Sequence, residues 1–210
     1  LEAKVYDVEP RIRAVGAGAV CPRDGRQGAA FVDVADDPHA GRATVMLSYT
    51  WGYTIGQIIS ALETLCEGKN PATVRVWICC LCVNQHRVKE RVAAGEVVPF
   101  AEFAGVFSQR VKAIGTVAAM LAPWDSPVYV QRVWCLFEVY TAMEAKCSVS
   151  VVVPDSEGAA FVEAFHNQGV RGLTAVFQSL RGIQVAKAQA SVPEDRDHIM
   201  EIIEAGPGCH

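Results

Sequence analysis

One acidic side chain, Glu138, lies alone in a long apolar stretch. Between Ser126 and Met143 it is the only Asp or Glu, and its neighbours predict a helix that is apolar nearly all round. A buried carboxylate is costly unless a cation pairs with it or a reaction uses it. The spacing leaves both interpretations open, with Arg132 and Arg75 as candidate partners of a salt bridge.

Small polar and aromatic residues at 47–53 stand where a predicted strand ends and a helix begins. In open parallel sheets that edge is where ligands bind. A helix N-terminus offers free N–H groups to an anion, and the rings of Trp51 and Tyr53 could hold a base or a pyridinium ring. Packing of Trp51 beneath a turn is the alternative. A separate expectation concerns the predicted helix that contains Glu138. Cys135 and Trp134 lie three and four positions before the acid, so they share its face of the helix.

Three cysteines and a histidine crowd residues 76–86, which we interpret as a buried strand that runs into a polar triplet at 84–86. Thiolates and an imidazole could bind zinc. Alternation along a strand points Cys80 and Cys82 away from Cys79, which favours inert buried thiols instead. The triplet would lie at the same sheet edge, either in contact with a substrate or as the cap of the next helix.

Standard catalytic signatures do not occur in the sequence. We find no Walker loop, no paired-histidine zinc motif and no Gly-x-Ser-x-Gly elbow. The glycines at 16 and 18 lack a third glycine and a preceding strand, so they favour a flexible connection over a dinucleotide-binding turn.

Alternating apolar runs and amphipathic segments predict an α/β fold. We expect near-continuous apolar strands at 44–49, 74–83, 116–121 and 148–153. Helices are predicted at 55–66, 100–114 and 131–146. Strands that are apolar on both faces and flanked by helices are typical of a parallel sheet covered on both sides.

The chain is predicted to form a single domain with three parts. Residues 1–42 are an irregular lead-in with one possible edge strand at 30–35, and residues 43–153 are the α/β core. Residues 154–210 are a helical extension, with helices at 159–166, 173–180 and 194–205. Because the chain begins with Leu1 and no leader follows, we interpret it as a piece of a longer protein.

Composition favours small molecules or other proteins as partners. The 210 residues are 51% hydrophobic, and the longest apolar runs fall far short of the roughly 20 residues of a membrane-spanning helix, so a soluble protein is expected. The net charge of −4 does not favour general affinity for nucleic acids. Eight cysteines are too few for a disulfide scaffold, which predicts reduced thiols in the cytoplasm.

Three blocks together resemble a known family. Residues 48–52 read Ser-Tyr-Thr-Trp-Gly, residues 77–85 contain Trp-Ile-x-x-Leu-Cys-Val-Asn-Gln, and residues 132–138 contain Arg-x-Trp-x-x-x-Glu. In order and approximate spacing they resemble the conserved blocks of fungal heterokaryon-incompatibility (HET) domains. Residues 134–138 also resemble the Trp-Cys-x-x-Glu motif of TIR (Toll/interleukin-1 receptor) domains, which are regarded as relatives of HET domains. The resemblance covers residues 44–145.

The resemblance implies a flavodoxin-like fold and an activity on NAD in signalling, innate immunity or cell death. In enzymatic TIR domains the glutamate of that motif is catalytic for cleavage between nicotinamide and ribose, and the matching residue is Glu138. Two positions depart from the HET pattern, since Cys79 replaces the usual Asp and Phe137 the usual Gln. Many TIR domains only assemble with one another, so the fold alone does not establish catalysis.

We therefore expect an NAD glycohydrolase that uses NAD as substrate, needs no cofactor or metal, and forms homo-oligomers through TIR-like contacts. The alternatives are a non-catalytic self-association module, a sensor that binds a nucleotide without cleaving it, and a cysteine-based redox or metal protein. Glu138 is the candidate catalytic residue. The candidate substrate-binding residues are Ser48, Tyr49, Trp51, Gly52, Tyr53, Asn84, Gln85, Trp134 and Cys135.

Overall fold

The centre of the fold is a sheet with four parallel strands among the residues that the structure describes. A computed structural model describes residues 1–36, 39–96, 100–168, 187–190 and 193–206. The strands are β1 (Val45–Ser48), β2 (Val76–Trp77), β3 (Thr116–Met120) and β4 (Ser148–Val152), in the order β2-β1-β3-β4. The order and the helices packed on both faces make this a flavodoxin-like α/β fold, which confirms the predicted class.

Nine α-helices accompany the sheet in the part of the chain that the structure describes. They are α1 (Val5–Val15), α2 (Phe31–Val34), α3 (Ile55–Cys66), α4 (Cys79–Cys82), α5 (Gln85–Ala93), α6 (Phe100–Ile114), α7 (Val133–Glu144), α8 (Asp155–Gln168) and α9 (Pro193–Ala205). Short 3-10 helices occupy Pro71–Thr73 and Val128–Gln131. None of the described helices combines the length and the apolar character that crossing a membrane requires.

Alternation along β1 divides the core into two layers. Val45 and Leu47 pack with residues of α1, α3 and α4 on one face of the sheet. Met46 packs on the other face, with residues of α6, α7 and α9. Burying such a side chain contributes about 1.5–3 kcal/mol, so both layers hold the sheet in place. Ser48 is in phase with Met46 and therefore faces α7.

The second predicted strand is much shorter than the sequence indicated. The prediction of a strand over 74–83 is wrong beyond Trp77, where β2 ends and the chain turns into α4. The N–H of Cys82 donates to the carbonyl oxygen of Ile78 at 2.9 Å, which closes a helical turn. β2 lies at the edge of the described sheet and pairs only with β1. The residues after Trp77 therefore form their backbone hydrogen bonds within α4 and not with a second strand. The clustered thiols thus lie on a helical turn and not on opposite faces of a strand.

The N-terminal segment also differs from its prediction. Residues 1–42 were expected to be irregular, but they contain α1, and the edge strand expected at 30–35 is the helical turn α2. The carboxylate of Asp33 accepts hydrogen bonds from the backbone N–H of Ala30 at 3.2 Å and from the guanidinium of Arg23 at 2.8 Å. These bonds stabilise a turn where the apolar pattern favoured an extended chain.

The other predictions fall into two groups. The remaining strands and helices of the core are confirmed, with ends that differ by a few residues at most. In the extension, α8 and α9 confirm the helices predicted at 159–166 and 194–205, and Ile199 and Met200 of α9 pack in the layer of α7. The helix predicted at 173–180 lies outside the described residues.

Candidate active site

The candidate active site forms where the end of β1 meets α7. Ser48 is the last residue of β1 and is fully buried. Its Oγ donates a hydrogen bond to Oε2 of Glu138, although 90 positions separate the two residues in the sequence. The fold thus joins two residues that the sequence analysis found in separate motifs.

A tyrosine that the sequence analysis missed extends this contact. Tyr129 lies in the 3-10 turn before α7, where its hydroxyl is within hydrogen-bond distance of two acceptors, Oγ of Ser48 and the carbonyl oxygen of Cys135, the latter at 3.0 Å. Burial raises the pKa of Tyr129 well above its usual range, so the hydroxyl stays protonated. The one available signal was that a tyrosine buried in an apolar turn usually finds a hydrogen-bond partner.

Neutral groups surround the carboxyl group of Glu138. The residue is partly exposed, yet burial raises the pKa of its carboxyl from 4.5 to about 7, and the hydrogen bond from Ser48 acts in the opposite direction. Neither Arg132 nor Arg75 forms an ion pair with Glu138, and no other cation in the described part of the chain does so. The salt-bridge interpretation therefore has no support among the described residues.

The two carboxyl oxygens of Glu138 have different surroundings. Oε2 accepts the hydrogen bond from Ser48, whereas Oε1 accepts none from the described residues. Every buried side-chain oxygen and nitrogen in those same residues has a partner, so Oε1 is not sealed from solvent. One oxygen is fixed by the protein, and the other remains available to a hydroxyl group of a ligand.

Thiols and aromatic side chains lie beside this carboxyl group. Sγ of Cys79 accepts a hydrogen bond from Nε1 of Trp51 at 3.1 Å and donates to the hydroxyl of Tyr49 at 3.4 Å. Sγ of Cys135 donates to the carbonyl oxygen of Tyr49 at 3.7 Å. Burial, and to a lesser degree the charge of Glu138, raises the pKa of Cys79 to about 12 and that of Cys135 well above its usual range. Both thiols are protonated near neutral pH, so neither supplies a thiolate nucleophile.

The cysteines of the described chain neither pair nor gather around a metal site. All seven of them are free thiols. Within the described ranges, no group of three or more His, Cys, Asp and Glu residues could hold a metal ion. Metal or disulfide chemistry at this edge of the sheet thus has no structural support in that part of the molecule.

The turn after β1 is fixed by its own hydrogen bonds. The N–H of Gly52 donates to Oγ1 of Thr50 at 3.2 Å, which closes the turn. Tyr53 is buried, and its hydroxyl donates to the carbonyl oxygen of Met120 at 3.1 Å. Tyr53 is therefore a core side chain that ties the turn to β3, whereas Trp51 is only half-buried.

Asn84 and Gln85 lie at the start of α5. Oδ1 of Asn84 accepts a hydrogen bond from the N–H of His86 at 3.0 Å, and its Nδ2 donates to the carbonyl oxygen of Gly28 at 2.9 Å. This is the capping interpretation of the polar triplet. In the described structure neither residue has a hydrogen bond or ion pair with Glu138.

Trp134 lies one helical turn before Glu138, as the spacing predicted. Its ring packs edge-on against Phe137, with 6.0 Å between the ring centroids. It also packs against the core layer that contains Met46 and Val111. Trp134 thus contributes to the layer that holds α7 on the sheet, and this packing fixes the helix that carries Glu138.

Comparisons with known proteins make no assignment for this site. No family model, no curated protein and no solved structure matches the chain. Function must therefore be inferred from the motifs of the sequence and from the geometry of Glu138 and its neighbours.

Proposed function

We propose that this chain hydrolyses NAD at the bond between nicotinamide and ribose, with Glu138 as the catalytic residue. Two things support the proposal: the resemblance of the three sequence blocks to HET and TIR domains, and one observation of the structure. A half-buried carboxyl group faces the end of β1 and has a hydroxyl, but no described cation, as its partner. Ligands of open parallel sheets bind at that end of the strands.

The proposed reaction needs only one acidic residue. Nicotinamide leaves as a neutral molecule from a positively charged pyridinium, so no general acid has to protonate the leaving group. Positive charge develops on the anomeric carbon of the ribose as the C–N bond breaks, and an ionised Glu138 stabilises that charge. Water then attacks the same carbon and releases a proton, which leaves ADP-ribose and nicotinamide as the products.

Different atoms of the site have different roles in this proposal. Oε1 of Glu138 binds a ribose hydroxyl, while Ser48 holds Oε2 and so fixes the orientation of the carboxylate. The half-buried indole of Trp51 stacks on the nicotinamide ring, a role for which buried Tyr53 has no exposed face. The backbone N–H groups of Thr50 and Trp51 receive phosphate oxygens, because those of Gly52 and Tyr53 already donate to Thr50.

To test the proposal, the purified chain is incubated with NAD at several protein concentrations, and chromatography measures the nicotinamide that is released. Glu138→Gln should lower the rate by about a thousandfold or more without unfolding the protein, because it removes the charge that acts in the transition state. Glu144→Gln is the matched control, since Glu144 is an exposed acid at the end of the same helix. Full activity of the Glu138→Gln variant would refute the mechanism.

A second candidate function is a non-catalytic module that signals by self-association. β4 pairs only with β3 in the described sheet, and it exposes Val149 (37%) and Val151 (63%) along this edge. Exposed apolar edge strands are sites where a second chain can add. A folded parent protein that releases no nicotinamide at any concentration, but whose size in solution grows with concentration, would favour this function.

The cellular setting in this proposal is signalling or cell death in the cytoplasm. The free state of all seven described cysteines agrees with a reducing compartment. NAD or a related nucleotide is the small-molecule partner, and the partner for assembly is a second copy of the chain.

A further inference from the structure

A cavity opens beside the edge strand β2 and has no lining residue in common with the Glu138 site. Its volume is about 320 Å³, which lies within the range of small-molecule sites. The N-terminal segment, β2, α4 and α6 all contribute to its walls. We call it the arginine pocket, and the residues that give it its character are Arg23, Arg75, Trp77, Cys82 and Arg110.

The arginine pocket has more positive than negative charge. Arg23 pairs with Asp33 at 2.8 Å, and Arg75 donates to three backbone carbonyl oxygens of the preceding segment, at 3.1 Å for the nearest. The guanidinium of Arg110 lies over the ring of Trp77, 4.9 Å from its centroid. Neither Arg75 nor Arg110 has an ion pair among the described residues, so two guanidinium groups there have no described carboxylate partner.

The position of Arg110 makes this excess charge costly. Arg110 is half-buried, and burial, followed by the positive charge of Arg23, lowers the pKa of its guanidinium. An arginine stays charged in spite of such a shift. A charged group that is partly removed from water and lies near a like charge is stabilised when an anion binds beside it.

A neighbouring cavity shows that clustered arginines alone do not produce this excess. It is also lined by three of them, Arg26, Arg87 and Arg91, but three carboxylates accompany them in the wall. Arg87 donates to Asp24 at 2.6 Å and to Glu90 at 2.9 Å. The charges of that cavity balance, whereas those of the arginine pocket do not.

We propose that the arginine pocket binds the phosphate group of a small organic phosphate ester, of about the size of a mononucleotide. Guanidinium groups present paired donors that match phosphate oxygens, and Arg75 and Arg110 have no described carboxylate that competes for them. The side chains of Val32 and Val76 in the wall give the organic part of the ligand an apolar surface. This binding site is separate from the NAD reaction proposed above.

Isothermal titration calorimetry of the whole chain tests the proposal, with 5′-AMP as the probe and adenosine as the same molecule without its phosphate. We expect saturable binding of one AMP per chain, and binding of adenosine at least about tenfold weaker. Arg110→Gln should weaken AMP binding by a similar factor, because it removes a charged donor. Arg91→Gln, from the charge-balanced cavity, is the matched control and should bind AMP like the parent.

Glu138→Gln separates this pocket from the candidate active site, and it should bind AMP as the parent does. Loss of AMP binding in that variant would place the nucleotide at Glu138 and overturn the proposal. Equal binding of adenosine and AMP, undiminished binding by Arg110→Gln, or no AMP binding by the parent would also overturn it. If a melting curve shows that Arg110→Gln is not folded, Arg75→Gln takes its place, and undiminished AMP binding by that variant would overturn the proposal. None of these measurements uses nicotinamide release. The binding proposal can therefore fail while the proposed NAD cleavage still holds.

Discussion

Two glutamates of this protein, one buried and one half-buried, have opposite surroundings. Glu9 of α1 is only 4% exposed, and its carboxylate pairs with Arg13 of the same helix at 2.8 Å. Glu138 of α7 has a hydroxyl partner, Ser48, and no cation among the described residues. Burial alone therefore does not identify a functional acid. What distinguishes Glu138 is that its ionisation is not compensated within the described structure, which is expected of a group whose charge acts on a ligand.

Stability as a function of pH gives the largest expected difference between the two acids. The pKa of Glu138 is raised from 4.5 to about 7 in the folded protein, so the folded state holds a proton that the unfolded state loses above pH 4.5. Stability is therefore lost as the pH rises from 4.5 to 7, by about 3 kcal/mol in total. Glu138→Gln removes this loss and should be more stable than the parent by about that amount at pH 8, with little difference at pH 4.

Urea denaturation at pH 4 and pH 8 measures this difference. Glu9→Gln is the counterpart, and it should lower the free energy of unfolding by about 1 kcal/mol, because Arg13 loses its carboxylate. If Glu138→Gln destabilised the protein at pH 8 as Glu9→Gln does, the two acids would both be structural and the distinction between them would disappear.

The hydrogen bond from Ser48 should produce the next largest effect. It lowers the pKa of Glu138, so Ser48→Ala should raise that pKa by about one unit. Because the proposed reaction uses the ionised carboxylate, the rise of kcat/KM with pH should move to higher pH by the same amount. Ser126→Ala, at an exposed loop position, is the control. An unshifted pH profile of an active Ser48→Ala variant would contradict the proposed role of this bond.

The thiols beside Glu138 should have the smallest effect. A serine at position 79 can accept from Trp51 and donate to Tyr49 as the thiol does, and burial keeps the pKa of Cys79 near 12. Cys79→Ser should therefore change the rate of nicotinamide release by no more than about twofold, because no thiolate is present near neutral pH. A loss of tenfold or more would assign the sulfur a part in the reaction.

The sequence predicted the core of the fold well because its signals there are local. The helix expected at 55–66 matches α3, whose start is set by Thr54, a cap that accepts from the N–H of Gln57 at 3.2 Å. The missed helix α1 contains Pro10, which weakens the helical pattern, and α2 depends on an ion pair between Arg23 and Asp33. A proline in α1, an ion pair in α2 and local backbone hydrogen bonds in α4 decided these elements, and the apolar pattern contains no signal for them.

At the candidate site, too, local sequence patterns predicted some features and missed others. A lone acid in an apolar helix predicted that Glu138 would be partly buried, and its pKa agrees with that expectation. Strand alternation in β1 contained the signal for Ser48, since it shares the phase of Met46. No local pattern could show that Tyr129 reaches Ser48, because 81 positions separate them and only the packing of α7 on the sheet brings them together.

The unequal lengths of the two edge strands of the described sheet restrict how copies of this chain could join. β2 has two residues and offers few backbone groups to a neighbour, whereas β4 has five and exposes Val149 and Val151. An association through β4 pairs that strand antiparallel with its own copy about a twofold axis, which uses the same surface on both chains. Such an arrangement closes after two copies, so growth into an open filament would need a different surface.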